Sequence, residues 1–155
     1  MSKLPDYISQ AIKSGPTPTM RQWRRVKDAD KLSMAEKIML FAESFLQIPE
    51  GEHVGEPLKL AKFQEAFFYS VFDGQDVRTA VLSIARRNGK TFAIAVVAMA
   101  YLIGPLAQTN QVIASAAMSR DQAALVFRAM TQMIQMSDLL SQHLRITPST
   151  KRIVK

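Results

Sequence analysis

A chain of 155 residues that is 48% hydrophobic and 21% charged suits one folded domain with a core and excludes a disordered tail or low-complexity linker. Without a single cysteine it cannot be a disulfide scaffold, a thiolate zinc site or a cysteine-nucleophile enzyme, which fits an intracellular setting. The net charge of +7 admits a polyanionic partner as well as plain solubility.

The opening Met1-Ser2-Lys3-Leu4-Pro5-Asp6 runs into polar sequence and has no secretory pattern. Residues 4–13 are expected to form a short helix, with Pro5 in the first turn and Ser14-Gly15-Pro16 ending it. Residues 1–31 hold seven Lys/Arg against three Asp, so more than half of the excess charge lies there. That basic helical segment reads either as an arm that contacts DNA or a partner, with Trp23 as an anchor, or as a solvated face with Trp23 folded onto the core.

Ser33-Met34-Ala35-Glu36 is a capping box. The helix it opens runs through Ile38, Leu40, Phe41, Phe45 and Leu46, and residues 49–57 follow as a loop of turn residues. His53 stands in that loop and, like His143, lacks neighbours at metal spacing. Residues 61–72 place aromatics at helical spacing, a core pattern stopped by Asp73-Gly74. Gln64 is the polar residue on that helix with a specific reading. Ahead of a phosphate-binding strand, a glutamine can read the adenine edge through its paired donor and acceptor. The alternative is an exposed helix glutamine.

Residues 80–84 form a short apolar, β-favouring run, and a long Ala/Val/Ile/Met helix is expected from Phe92 onward. Between them Gly89-Lys90-Thr91 reproduces the end of the P-loop pattern G-x-x-x-x-G-K-[ST]. The chemistry requires backbone N–H groups and a helix N-terminus facing phosphate oxygens. Arg86, Arg87 and Asn88 lie in the same loop. Lys90 is expected to be a solvent-facing charge that reaches the β- and γ-phosphates, and the Thr91 hydroxyl to hold Mg²⁺. The first glycine of the pattern is missing, because Ile84 stands there. An ordinary glycine turn with a solvated lysine is therefore the competing reading.

Residues 92–106 are too short to span a membrane and are broken by Gly104-Pro105, so a buried helix is expected. Residues 111–117 read as a second buried strand. Ser119-Arg120-Asp121-Gln122 is a second capping box, whose helix runs through Ala124, Phe127, Met130, Met133 and Ile134 and fades at Ser137-Asp138. Residues 144–147 and 150–154 suggest a hairpin, or a strand cut short. The order predicts an α/β fold of P-loop NTPase type: a mainly parallel sheet flanked by helices, incomplete, behind a helical N-terminal segment.

With these residues assembled, the chain resembles the large subunit of tailed-phage terminases, the ATP-driven DNA-packaging motors, and is most similar to the HK97-like group. The similarity is carried by Tyr7-Ile8 with Ser14-Gly15, Phe45-Leu46 with Pro49-Glu50-Gly51, residues 55–60 and Phe63-Gln64. It continues through residues 85–91, Ala116-Ala117 with Gln122-Ala123-Ala124, and Met133-Ile134 leading to Leu139-Leu140. An arginine-bearing loop without the first glycine is that family's own variant of the P-loop. The resemblance implies an ATPase domain with ATP and Mg²⁺ as cofactors, followed by a ribonuclease-H-like nuclease. It also implies double-stranded DNA, a portal protein and a terminase small subunit as partners, and the host bacterial cytoplasm as the location. By position, the family's cis-acting arginine finger falls on Arg86. Arg87, Asn88, Gly89, Lys90, Thr91 and Gln64 become the expected nucleotide-binding set.

One departure bears on turnover. Hydrolysis needs an acid pair at the end of an apolar strand, yet Asp121 and Asp138 are the only acids after Thr91 and neither follows such a strand. The expected division is a basic segment over 1–31 and the front of a P-loop ATPase domain over 32–155, with the Walker B strand and the nuclease absent. Self-association through an uncovered sheet edge is then expected. Two rival readings remain open. One is a non-enzymatic nucleic-acid or partner-binding module that keeps a P-loop-like turn. The other is a fragment of a helicase-type P-loop ATPase or small kinase.

Overall fold

The computed structural model describes residues 31–155; the basic segment and Trp23 lie outside the described residues, apart from Lys31. The first helix, α1 (Met34–Phe45), begins where its capping box requires. The Ser33 hydroxyl accepts from the Glu36 N–H at 3.2 Å, and the Glu36 carboxylate accepts from the Ser33 N–H at 2.7 Å. Two donors that a helix start leaves unpaired are thereby satisfied. Asp73 adds a third bond from 38 residues away, accepting from the Ala35 N–H at 3.0 Å.

The loop after α1 closes on itself through Ile48 N–H to the Glu56 carbonyl (2.9 Å) and Leu58 N–H to the Leu46 carbonyl (2.9 Å). Next come α2 (Lys62–Phe72) and α3 (Lys90–Leu102). Ala93, Ala95, Val96, Ala98, Met99 and Ala100 of α3 are all buried. Such a helix, apolar on nearly every side, belongs in the centre of a fold. It packs against α1 on one flank and α4 (Arg120–Gln135) on the other. Its alanines let neighbours approach closely, and Phe41, Phe68, Met133 and Ile134 fill the remaining space. Among the described residues, no helix is long and apolar enough to cross a membrane.

Helix α4 starts at Ser119, whose hydroxyl accepts from the Gln122 N–H at 3.2 Å. It ends at Gln135 with Met136 as its C-cap, in keeping with the expected fading at Ser137-Asp138, and a further helix that was not expected follows at once. Ser137 caps a further short helix, α5 (Asp138–His143), by accepting from the Leu140 N–H at 3.4 Å. The end of α4 is closed by backbone bonds, Met136 N–H to the Gln132 carbonyl and Ser137 N–H to the Ile134 carbonyl, both 3.1 Å, while the Ser137 hydroxyl serves the next start. The chain finishes in an antiparallel hairpin of β1 (Arg145–Thr147) and β2 (Arg152–Val154), paired Arg145 to Val154, Ile146 to Ile153 and Thr147 to Arg152.

The sheet differs from expectation. That hairpin forms the one sheet among the described residues, and no parallel ladder joins residues 80–84 to residues 111–117. Leu82 and Ile84 are half-buried while Val81, Ser83 and Ala85 are exposed, the two-residue period of a strand with one covered face. The second run, expected to be buried, is largely exposed, with Val112 at 89%. A strand is stabilised by its neighbours, and neither run has one among the described residues.

Candidate nucleotide-binding loop

Helix α3 begins at Lys90, with Gly89 as its N-cap in the left-handed region (φ +69°). The Gly89 carbonyl takes the first helical bond, from the Ala93 N–H at 2.9 Å. The amides of Lys90, Thr91 and Phe92 therefore start the helix without an intrahelical acceptor. No acidic side chain occupies this first turn, so the field at the helix start is positive.

The missing first glycine is explained by the backbone. Positive φ in the loop falls on Arg87 (+65°) and Gly89, not on Ile84. Nothing in the conformation of residue 84 calls for glycine. Its carbonyl is used instead: the Lys90 ammonium donates to the carbonyl of Ile84 and to that of Ala85, the latter at 3.0 Å. Lys90 is thus half-buried rather than facing solvent. Two neutral carbonyls hold its charge directly over the loop. Arg86, Arg87 and Asn88 are exposed, and Thr91 is half-buried one residue into the helix.

Gln64 is not the exposed helix glutamine of the alternative reading. It is 7% exposed, the buried polar residue among the described residues. Its side-chain oxygen accepts from the Ala61 N–H at 2.9 Å, and its amide nitrogen faces the carbonyls of Asn88 and Gly89, each at 3.4 Å. The structure therefore gathers the expected residues at one place: Gln64 behind the loop, Lys90 folded over it, the arginines beside it.

The donor set suits phosphate. Helix-start amides and Lys90 meet at the loop, Arg86 and Arg87 are exposed within it, and Thr91 brings a hydroxyl in the first helical turn. A complete metal site is another matter. Among the described residues no group of three acids or histidines could hold a cation. Asp121 and Asp138 sit in the first turns of α4 and α5, where a carboxylate complements the helix dipole. His53 pairs with Glu56 at 3.2 Å on the surface, and His143 contacts the Leu139 carbonyl at 2.9 Å. The sequence reading missed the two carbonyls that take Lys90, since a backbone acceptor has no side-chain signature. It also missed the burial of Gln64.

Residues 62–154 match the family "Terminase large subunit, ATPase domain". The terminase large subunit of Enterobacteria phage HK97 is 41% identical over 126 residues, an alignment taking in 79% of this chain and 25% of that protein. The fold matches the crystal structure of the HK97 bacteriophage large terminase with a TM-score of 0.73 and 39% identity, again covering 79% of this chain and 25% of the other. The chain spans about a quarter of the length of these relatives. By family match, identity and shared fold, it belongs to the phage terminase large subunits, through their ATPase domain.

Proposed function

We propose that these residues form the ATP-binding front of a motor that drives double-stranded viral DNA into procapsids. One observation carries the reading: a left-handed Gly89 opens α3 with Lys90 and Thr91 in its first turn and with Arg86 and Arg87 alongside. Backbone amides from Asn88 to Thr91 cradle the phosphates, and Lys90 exchanges its two carbonyls for β- and γ-phosphate oxygens. Arg87 adds positive charge at the rim of the loop. Gln64 belongs to the same nucleotide set, from behind the loop.

A bound Mg²⁺ would supply positive charge against the developing negative charge of the phosphates. Thr91 offers it a hydroxyl. A Mg²⁺ shell is otherwise filled by phosphate, water and one or two carboxylates, and in this reading the acids come from a strand outside these residues. Arg86 acts as the cis finger on transition-state charge. The basic residues 1–31 precede the ATPase front, which runs over 32–155, and the nuclease domain lies beyond. A portal protein, a terminase small subunit and viral DNA are the partners of the intact motor, which works in the host cytoplasm.

Two variants in the full-length protein test the roles. Lys90→Ala should abolish ATP turnover while the protein stays folded, because the ammonium bonds only to the Ile84 and Ala85 carbonyls of its own loop and not to the helical core; a thermal melt checks the fold. Arg86→Ala should keep ATP affinity and lose roughly 10³–10⁵ in turnover, the range measured for such fingers. Near wild-type hydrolysis by Lys90→Ala overturns the phosphate-loop assignment. Weaker binding with unchanged turnover makes Arg86 a ground-state contact instead.

A further inference from the structure

We propose that Gln64 is a positioning residue that presets the peptide planes of the phosphate loop, a role that does not depend on the base of the nucleotide; this rests on the phosphate-binding reading of that loop. Gln64 is almost fully buried, so each of its polar atoms needs a partner. The network fixes the orientation of the amide. Its oxygen must face the Ala61 N–H, a donor, and its nitrogen must face the carbonyls of Asn88 and Gly89, both acceptors. The amide nitrogen carries two hydrogens, one for each carbonyl, and both contacts to the loop are long at 3.4 Å.

Those carbonyls belong to consecutive peptides. The Asn88 carbonyl shares a plane with the Gly89 N–H, and the Gly89 carbonyl shares one with the Lys90 N–H. In a trans peptide the N–H and C=O point in opposite directions. Holding both carbonyls inward on Gln64 turns both N–H groups outward, to the side where a phosphate would lie. Gly89 permits this arrangement in a second way. A Cβ on it would stand 2.9 Å from the Gln64 amide nitrogen, so any larger residue would push that amide away from the loop carbonyls. The start of α2 is thereby tied to the start of α3 through one side chain. Its oxygen caps the start of one helix and its nitrogen sets the loop that leads into the other.

Two variants separate the functions of the two ends. Gln64→Glu keeps an oxygen for the Ala61 N–H but replaces the donor with a carboxylate facing two carbonyls; Gln64→Ala removes both. The full-length protein is titrated with Mg-ATP, Mg-GTP and Mg-tripolyphosphate, and thermal melts confirm that each variant is folded. Both variants are expected to weaken all three ligands by a similar factor, about tenfold on hydrogen-bond energetics. Amide exchange at residues 89 and 90 should accelerate. If Gln64→Glu binds all three like wild type while Gln64→Ala does not, the residue merely caps α2 and the proposal falls. If ATP binding alone weakens, Gln64 reads adenine and the proposal also falls, as it does if neither variant changes anything. Wild-type binding of tripolyphosphate that is indifferent to Lys90→Ala would overturn the phosphate-loop reading itself, which distinguishes that failure from a failure of positioning alone.

Discussion

The loop between Ile84 and Lys90 turns through two left-handed residues that differ in their cost. Gly89 (φ +69°) adopts the conformation freely, whereas Arg87 (φ +65°) does so against its own Cβ, a strain of about 1–2 kcal/mol. Gly89 carries a second constraint, the nearby Gln64 amide. Gly89→Ala should therefore destabilise the protein by at least about 1–2 kcal/mol, measured by denaturant unfolding, and weaken phosphate binding beyond what that loss explains. Arg87→Gly should leave stability level or slightly raised, since relief of strain is offset by glycine's greater freedom when unfolded. A harmless Gly89→Ala would mean that the turn is not held in the left-handed region in solution. Much of this site was legible in the sequence, because Gly-Lys-Thr after an apolar run has a mechanism attached to it. The conformation of Arg87 was not, since arginine carries no signature of positive φ. Nor was the burial of Gln64, which depends on a loop 24 and 25 residues away.

Helix starts account for the order among the elements. Three of them, at Ser33, Ser119 and Ser137, are capped by a serine hydroxyl on an amide three residues on, a local signal that a sequence states outright. The start of α1 also depends on Asp73 at the end of α2, and that tie is not local. Burial pushes the Asp73 carboxyl up, but hydrogen bonds from the Ser33 hydroxyl and from the Ala35 and Met34 amides outweigh it and hold the group below its ordinary value. A lowered folded pKa contributes stability that is complete above the ordinary aspartate range and is lost as pH falls through the folded value. Acid should therefore loosen the α1–α2 contact first from this end. Asp73→Ala should flatten that acid limb and cost roughly half a kcal/mol near neutral pH, less than a full capping bond because the carboxylate is exposed. Thermal melts of both proteins from neutral pH down to about pH 3 measure it, and parallel pH curves would show that Asp73 is not the titrating group. The apolar runs at 80–84 and 111–117 read as strands, yet neither is a strand among the described residues, since an apolar pattern names only half of a pairing. Their ladder partners could not be read from the pattern.

At the scale of the whole molecule, the core is helical and closed around α3, while the apolar runs beside the loop are open. Val81 is 83% exposed, Val112 89% and Met118 fully so, and no ladder among the described residues covers residues 80–84 or 111–117. Exposed backbone donors and acceptors next to exposed valines are what edge-to-edge pairing requires. The 155-residue chain should therefore associate as its concentration rises, seen as a growing weight-average mass in sedimentation equilibrium, while its helical content stays constant. The association should be driven by these runs and not by the helical core. Val81→Lys combined with Val112→Lys should restore a monomer, because like charges on an edge oppose pairing. It should do so with little change in the thermal melt, since neither side chain is buried. A chain that stays monomeric at every accessible concentration would mean that these runs cover each other or fold back on the helices in solution. Association that survives both lysines would place the contact elsewhere, with the exposed Leu125 on α4 and Val154 at the hairpin edge the next surfaces to alter. A full-length protein that supplied further strands to the sheet would protect the same valines, and its mass should then be insensitive to the double lysine variant.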